Sequence, residues 1–273
     1  MGTQPLGPIK WHGGKHYLAP RIVALMPSHT HYVELFGGGL AVLFAKPPVG
    51  TSEVVNDLNG DLVNFFAVLR NKKRFERFRR RVACVPFGRA VWEDAARRLR
   101  TEPDASSVLR AQWFFTANRM SLAGRMDNFT AITKTRVRRH MNAEVAAWLG
   151  AVDGLPAVHA RLQRVVIENR PATQLMPAHD VDGALFYADP PYPAETRSSP
   201  GTYGEYEMST AAHRKFLTAA TSLKSAKILI SGYRNAMYDE SLRGWNRHEF
   251  DMPNHAAAGK SKGRRLEVVW ANF

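Results

Sequence analysis

His31-Tyr32-Val33-Glu34-Leu35-Phe36-Gly37-Gly38-Gly39-Leu40 is the stretch on which the fold turns. Its first six residues are rich in aromatic and β-branched side chains and read as a strand. Three glycines close it, and residues 40–45 (Leu-Ala-Val-Leu-Phe-Ala) read as the start of a helix. A strand that runs through glycines into a helix opens a parallel α/β sheet, and ligands bind beyond the carboxyl ends of such strands. Glycine there lets backbone approach a ligand closely. Three glycines also suit a plain tight turn, and the spacing is not GxGxxG, so a dinucleotide does not follow.

The same alternation continues on both sides of a long helical stretch. Residues 52–56 form a second short strand. Residues 61–70 form an amphipathic helix with Leu62, Phe65, Phe66 and Leu69 on one face. The middle is helical over 89–100 and 107–120, followed by a polar loop at 121–133. Strands resume at 165–169, 184–188 and 227–231. Ser209 or Thr210 can cap a helix running to 223, and 266–273 reads as a final strand. This pattern predicts an α/β fold with a mostly parallel sheet. The expected division is a catalytic domain over 1–70 and 164–273, with 71–163 as a helical, basic insert. Internal repeats are absent.

Charge separates the two parts. The chain has 273 residues and a net charge of +14. Residues 70–170 hold 22 Lys+Arg against 9 Asp+Glu, a net +13, and the remainder carries +1. Phosphates along DNA reward distributed cations, so this region is the expected nucleic-acid surface. An anionic membrane is the other polyanion, but it calls for a basic helix with a clean apolar face. Phe75, Phe78 and Val82 equally make the stripe of an ordinary packed helix. No apolar run approaches the length of a membrane span, and the start lacks a secretion leader. Cys84 is the only cysteine, which removes intramolecular disulfides and cysteine-based zinc sites. It is expected in the core. A cytoplasmic location follows.

Four motifs carry the chemistry. The glycine stretch is the first. The second, Asn56-Asp57, ends the next strand. An acid there suits ribose hydroxyls, although Asp57 or Asp61 can instead cap the following helix. The third is Ala188-Asp189-Pro190-Pro191-Tyr192, after the run Leu185-Phe186-Tyr187. Two prolines stop the strand and stiffen the backbone. The corner then offers a carboxylate, a proline carbonyl and an aromatic ring, which suits an exocyclic amine on a planar base. The fourth, Lys10-Trp11-His12-Gly13-Gly14-Lys15, puts an aromatic wall between cations.

Taken together and in order, these motifs resemble the Dam-type, alpha-group DNA adenine-N6 methyltransferases. Lys10-Trp11-x-Gly13-Gly14-Lys15 is similar to their N-terminal cofactor motif. Glu34-x-Phe36-x-Gly38-Gly39 resembles the glycine-rich one, and Asn56-Asp57-x-Asn59-x-Asp61-Leu62 the acidic one. Asn118-Arg119-x-Ser121-x-x-Gly124 resembles a central motif of the target-recognition insert. Asp189-Pro190-Pro191-Tyr192 resembles the catalytic tetrad. Ser231-Gly232-Tyr233 and Glu267-Val268-Val269-Trp270-x-Asn272 resemble the closing motifs. Several relatives carry glycine where this chain has Leu40, and proline where it has Leu35.

The resemblance implies a Rossmann-like methyltransferase fold, S-adenosylmethionine as methyl donor, and adenine N6 in double-stranded DNA as acceptor. The base would be flipped out and methylated directly at a short recognition sequence. Asp189, Pro190, Pro191 and Tyr192 would be catalytic. Trp11, Lys15, Glu34, Phe36, Gly37, Gly38, Gly39, Asp57 and Asp189 would hold the cofactor, with no metal. Lys10, Arg119, Ser121, Arg136, Arg138 and Arg139 would contact DNA. Tyr203 would line the DNA side, and His213 would serve as a helix cap. The protein is expected to be a monomer, without membrane association, with a cognate restriction endonuclease as a candidate partner. The rival activities are cytosine-N4 methylation, methylation of a glutamine side chain, and a catalytically inactive DNA-binding relative.

Overall fold

The structure is a computed structural model that describes residues 7–48, 50–197, 201, 203–253 and 264–273. In chain order the first elements are α1 (Ala19–Leu25), β1 (His31–Glu34), α2 (Ala41–Ala45), β2 (Ser52–Asn56) and α3 (Gly60–Arg70). Then follow α4 (Lys72–Ala83), α5 (Arg89–Thr101), α6 (Ser107–Arg119), β3 (Val137–Arg138), β4 (Met141–Asn142), α7 (Ala143–Asp153) and α8 (Leu155–Leu162). The last are β5 (Val165–Glu168), α9 (Ala172–Ala178), β6 (Ala184–Ala188), α10 (Thr210–Thr221), β7 (Lys227–Tyr233), α11 (Ala236–Ser241), β8 (Asn246–Pro253) and β9 (Arg264–Ala271). The chain divides into two compact units.

One unit comprises Leu25–Gly37, Gly50–Leu58 and Arg170–Phe273. Its six strands pair in the order β2-β1-β6-β7-β9-β8. The pairs from β2 to β7 are parallel, and β9 and β8 close the edge antiparallel. All five residues of β6 are buried, as expected of a parallel strand covered on both faces. Val33, Phe186, Ile228, Ile230 and Trp270 form a core with Leu175, Phe216 and Tyr238 from α9, α10 and α11. Ser209 caps α10 by accepting from the Ala212 amide, which decides between the two expected capping residues. The expected helix-cap role of His213 is corrected: it is buried, with Nδ1 2.9 Å from the Tyr238 hydroxyl.

The other unit comprises Met1–Ala24, Gly38–Val49 and Asn59–Asn169. Its axis is α6, where Ala111 and every residue from Trp113 to Asn118 are buried. A helix buried all round has neighbours on every side, and α3, α4 and α5 pack against it. Phe65 of α3 sits among Phe78, Phe114 and Phe115, with ring centroids 5.6–5.9 Å apart. In α4, Phe75, Phe78 and Val82 are buried, so its basic residues coat an ordinary packed helix. Cys84 follows α4 and is exposed, correcting the expectation of a core cysteine. Val82, two residues earlier and about 200° around the helix, takes the last inward position of α4.

The cap of α3 is also corrected. Asn59, not Asp57 or Asp61, accepts from the Leu62 amide at 3.1 Å. Asp61 instead pairs with Arg110 at 2.6 Å. Asp57 lies two residues before the cap, so its carboxylate is not the group that starts the helix.

Candidate active site

Three motifs leave the sheet unit at one edge. Glu34-Leu35-Phe36-Gly37 follows β1, Asn56-Asp57 follows β2, and Asp189-Pro190-Pro191-Tyr192 follows β6. These three strands are parallel neighbours in the order β2-β1-β6. The chain leaves β1 for β2 on one side and later fills β6 on the other, which makes a topological switch point. Open α/β sheets bind ligands there.

Asn56 fixes the edge. Its Nδ2 donates to the carbonyls of Leu35 and Arg170, both at 2.9 Å, and its Oδ1 accepts from the Arg170 amide at 2.9 Å. Its own carbonyl accepts from Gly37 N–H at 2.7 Å, and Leu35 N–H donates to the Tyr187 carbonyl at 2.9 Å. The exits of β1 and β2 are thus locked to each other, to Arg170 and to the end of β6. Glu34 is buried and accepts from the Tyr32 hydroxyl at 2.9 Å. Burial, then the Glu34 charge, pushes the Tyr32 phenol well above its ordinary range, so it stays a donor. Phe36 stands edge-on to Phe216, with centroids 5.4 Å apart.

The Asp189–Tyr192 corner is held from β7 and β9. Tyr187 and Ser231 hydroxyls meet at 2.9 Å. Tyr192 is 8% exposed and donates its hydroxyl to Glu267 Oε2 at 2.7 Å. Its ring is edge-on to Tyr233, with centroids 4.6 Å apart. Tyr233 and Glu267 are directly opposite each other in the β7–β9 register, so one cross-strand pair grips the tyrosine by ring and hydroxyl. Burial, then Asp189 and Glu267, pushes the Tyr192 phenol well above its ordinary range. Asp189 itself is half-buried. Sequence reasoning found Tyr192, Tyr233 and Glu267 as motif members but missed that they touch.

Downstream, Glu207 takes both Arg197 and the Tyr203 amide, and the Arg197 guanidinium lies 5.2 Å from the Tyr203 ring centroid. Tyr203 is therefore held against the Arg197–Glu207 pair.

In the helical unit, Lys10 is bonded to the end of α6. Its Nζ donates to the Ser121 carbonyl at 3.1 Å. Burial, then Arg119, pulls the Lys10 ammonium below its ordinary range. Trp11 packs on the glycines: a Cβ at Gly38 would lie 2.5 Å from its indole Nε1. Lys15 is buried, with Nζ 3.0 Å from the Gly13 carbonyl. Leu40 takes the left-handed conformation (φ 54°) and is 1% exposed. That backbone is free to glycine, which several relatives have there. In leucine it costs about 1–2 kcal/mol, offset by about 1.5–3 kcal/mol from the buried side chain.

Of the remaining expected contacts, Ser121 is buried with Oγ on the Asn118 carbonyl at 2.9 Å. Arg119 donates to the Ala147 carbonyl at 3.1 Å. Both side chains point into the helical unit. Arg136, Arg138 and Arg139 are exposed on and beside a hairpin of β3 and β4 that the sequence did not reveal. Its two turn residues, Arg139 and His140, both have positive φ (51° and 59°), the type I′ geometry that matches strand twist.

An aromatic corner anchored by ring and hydroxyl thus follows a central strand of a mostly parallel sheet. The comparisons agree with the family read from the motifs. Residues 11–144 match the family model of the D12 class N6 adenine-specific DNA methyltransferases. A stretch of 63 residues is 40% identical to the Type II methyltransferase M1.LlaDCHI of Lactococcus lactis subsp. cremoris, covering 23% of this chain and 22% of that protein. The chain is also similar to a SAM-dependent methyltransferase from Agrobacterium tumefaciens, with 12% identity and a TM-score of 0.38, over 94% of this chain and 61% of that one. The match thus spans less than a quarter of the curated relative and about three fifths of the solved one. Among the described residues no helix is long and apolar enough to cross a membrane, and no cluster of three or more His, Cys, Asp or Glu could hold a metal.

Proposed function

We propose that the protein methylates the N6 amine of adenine in double-stranded DNA at a short recognition sequence, with S-adenosylmethionine as donor and the target base flipped out. The observation that carries this is the corner Asp189–Tyr192, whose ring is fixed by Glu267 and Tyr233 and whose carboxylate residue Asp189 is half-buried. An acceptor pair beside a rigid π-face fits an aromatic amine.

The residues fit the donor. Asp57 directly follows β2, and an acid at the carboxyl end of such a strand suits ribose hydroxyls. Glu34, Phe36 and Gly37 follow β1, and Trp11, Lys15, Gly38 and Gly39 complete the proposed set. When bound, S-adenosylmethionine supplies an activated methyl on a sulfonium. The protein's own task is positioning. Asp189 and the Pro190 carbonyl accept the two amine hydrogens, which draws the nitrogen lone pair out of the ring. Asp189 then stabilises positive charge developing on nitrogen and receives the departing proton on its way to solvent. Pro191 keeps the corner rigid. Tyr192 stacks on the flipped base and offsets part of an unstacking cost of a few kcal/mol.

The exposed hairpin arginines Arg136, Arg138 and Arg139 form the proposed DNA-facing set within an insert at 71–163. The exposed pairs Arg136–Glu144 and Arg139–Asp153, both 3.3 Å, are weak and can exchange for phosphates. A monomer, a cytoplasmic location and a partner restriction endonuclease complete the reading. Incubation with tritiated donor and duplex DNA, followed by nucleoside analysis, tests it. Label in N6-methyladenine supports it, and absence of label in DNA refutes it.

A further inference from the structure

The central motif at the end of α6 has a use inside the protein. Asn118 has no exposed surface. Its Oδ1 accepts from Lys10 N–H at 3.0 Å, and its Nδ2 donates to the Lys10 carbonyl at 2.8 Å and the Gly124 carbonyl at 3.1 Å. One side-chain amide thus satisfies both backbone groups of a residue 108 positions away, as a neighbouring strand would. The Lys10 ammonium closes the clamp on the Ser121 carbonyl. Gly124 presses from the other side: its φ is +77°, and a Cβ there would fall 2.3 Å from the Lys10 carbonyl oxygen.

The clamped residue is bonded directly to Trp11. The arm then turns sharply, with Gly14 N–H on the Trp11 carbonyl at 3.1 Å. Trp11 lies against Gly38 and Gly39, which have no room for a Cβ beneath it: 2.5 Å at Gly38 and 3.0 Å at Gly39. Asn118, Lys10, Trp11 and Gly38 therefore form one continuous chain of contacts.

We propose that Asn118 is a positioning residue for methyl-donor binding: by clamping the Lys10 backbone it sets Trp11 against Gly38 and Gly39, so the central motif governs cofactor affinity. This rests on the donor site proposed above. Only an amide serves at 118. Aspartate keeps the acceptor for Lys10 N–H but turns a second oxygen toward two carbonyls.

The test is calorimetric titration of S-adenosylmethionine into the wild-type protein, Asn118→Ala, Asn118→Asp, Trp11→Ala and the Asn118→Ala/Trp11→Ala double variant. Asn118→Ala should weaken binding about tenfold or more, since buried partners lose their bonds, and Asn118→Asp at least as much. The double variant should bind no more weakly than Trp11→Ala alone, because coupled residues are not additive. Gly124→Ala, which displaces the same carbonyl from the opposite side, should reproduce the loss and carries the comparison should the Asn118 variants fail to fold. Wild-type donor affinity in Asn118→Ala, or losses that multiply in the double variant, would overturn the proposal. A wild-type protein that binds no donor would instead overturn the donor assignment itself.

Discussion

The Tyr192 hydroxyl donates to Glu267 at 2.7 Å while its ring meets Tyr233 edge-on. The hydroxyl therefore orients the ring rather than moving protons. Tyr192→Ala removes the stacking surface and should lower kcat most. Tyr192→Phe keeps the ring but loses a bond to a charged acceptor, about 1.5–3 kcal/mol, so an intermediate loss is expected. Glu267→Gln should produce little further loss in the Tyr192→Phe background. Single-turnover rates on the wild-type protein, the three single variants and the Tyr192→Phe/Glu267→Gln double variant read this out. Equal damage from Phe and Ala would remove the stacking role, and fully additive losses would remove the role of Glu267.

Asp57 and Asn59 should separate cleanly. Asn59→Ala removes the cap of α3 and should cost about 0.5–2 kcal/mol of stability, with donor affinity kept. Asp57→Ala should cost about 1–3 kcal/mol of donor binding. Urea melts and calorimetry distinguish them. The opposite assignment of the two effects would contradict the ribose role.

The hairpin gives a salt-dependent signature. Log K for DNA should fall with log salt at a slope of roughly −4 to −7, about 0.9 per neutralised phosphate. Replacing Arg136, Arg138 and Arg139 with alanine should flatten that slope and weaken specific and scrambled duplexes alike. Fluorescence anisotropy across a salt series measures it. A wild-type slope near zero would mean that the basic surface faces only water.

Two histidines set an acid limit. Burial lowers the pKa of His213, with Arg197 pulling in the same direction against Glu195 and Glu207. Burial and then His179 lower that of His31, against a backbone bond from Ser52. A histidine with a depressed folded pKa binds fewer protons folded than unfolded, so stability is full above about pH 6.5 and falls as pH drops below it. His213→Gln should make the urea midpoint less steep with pH between about 6.5 and 5. An unchanged slope would mean that His213 is not held neutral.

Legibility followed the range of the interactions. Strands β1, β2 and β6 were readable because each apolar run stops at a glycine, Asn56-Asp57 or the double proline. The β3–β4 hairpin was hidden: its strands are two residues long and its turn is Arg139-His140, without the glycine or asparagine that usually marks positive φ. Strand β8 was missed because Asn-Arg-His-Glu carries no apolar alternation, and it forms at the edge only because β9 is there to pair with it. The grip of Tyr233 and Glu267 on Tyr192, and of Asn118 on Lys10, joins residues tens of positions apart. No local pattern encodes such contacts.

The most direct test of the account is mass spectrometry of nucleosides from duplex DNA incubated with the protein and S-adenosylmethionine. The wild-type protein should produce N6-methyladenine, and Asp189→Ala should produce it about 10²-fold more slowly or worse while still folding and binding DNA. N4-methylcytosine as the product, or near-normal turnover by Asp189→Ala, would contradict it.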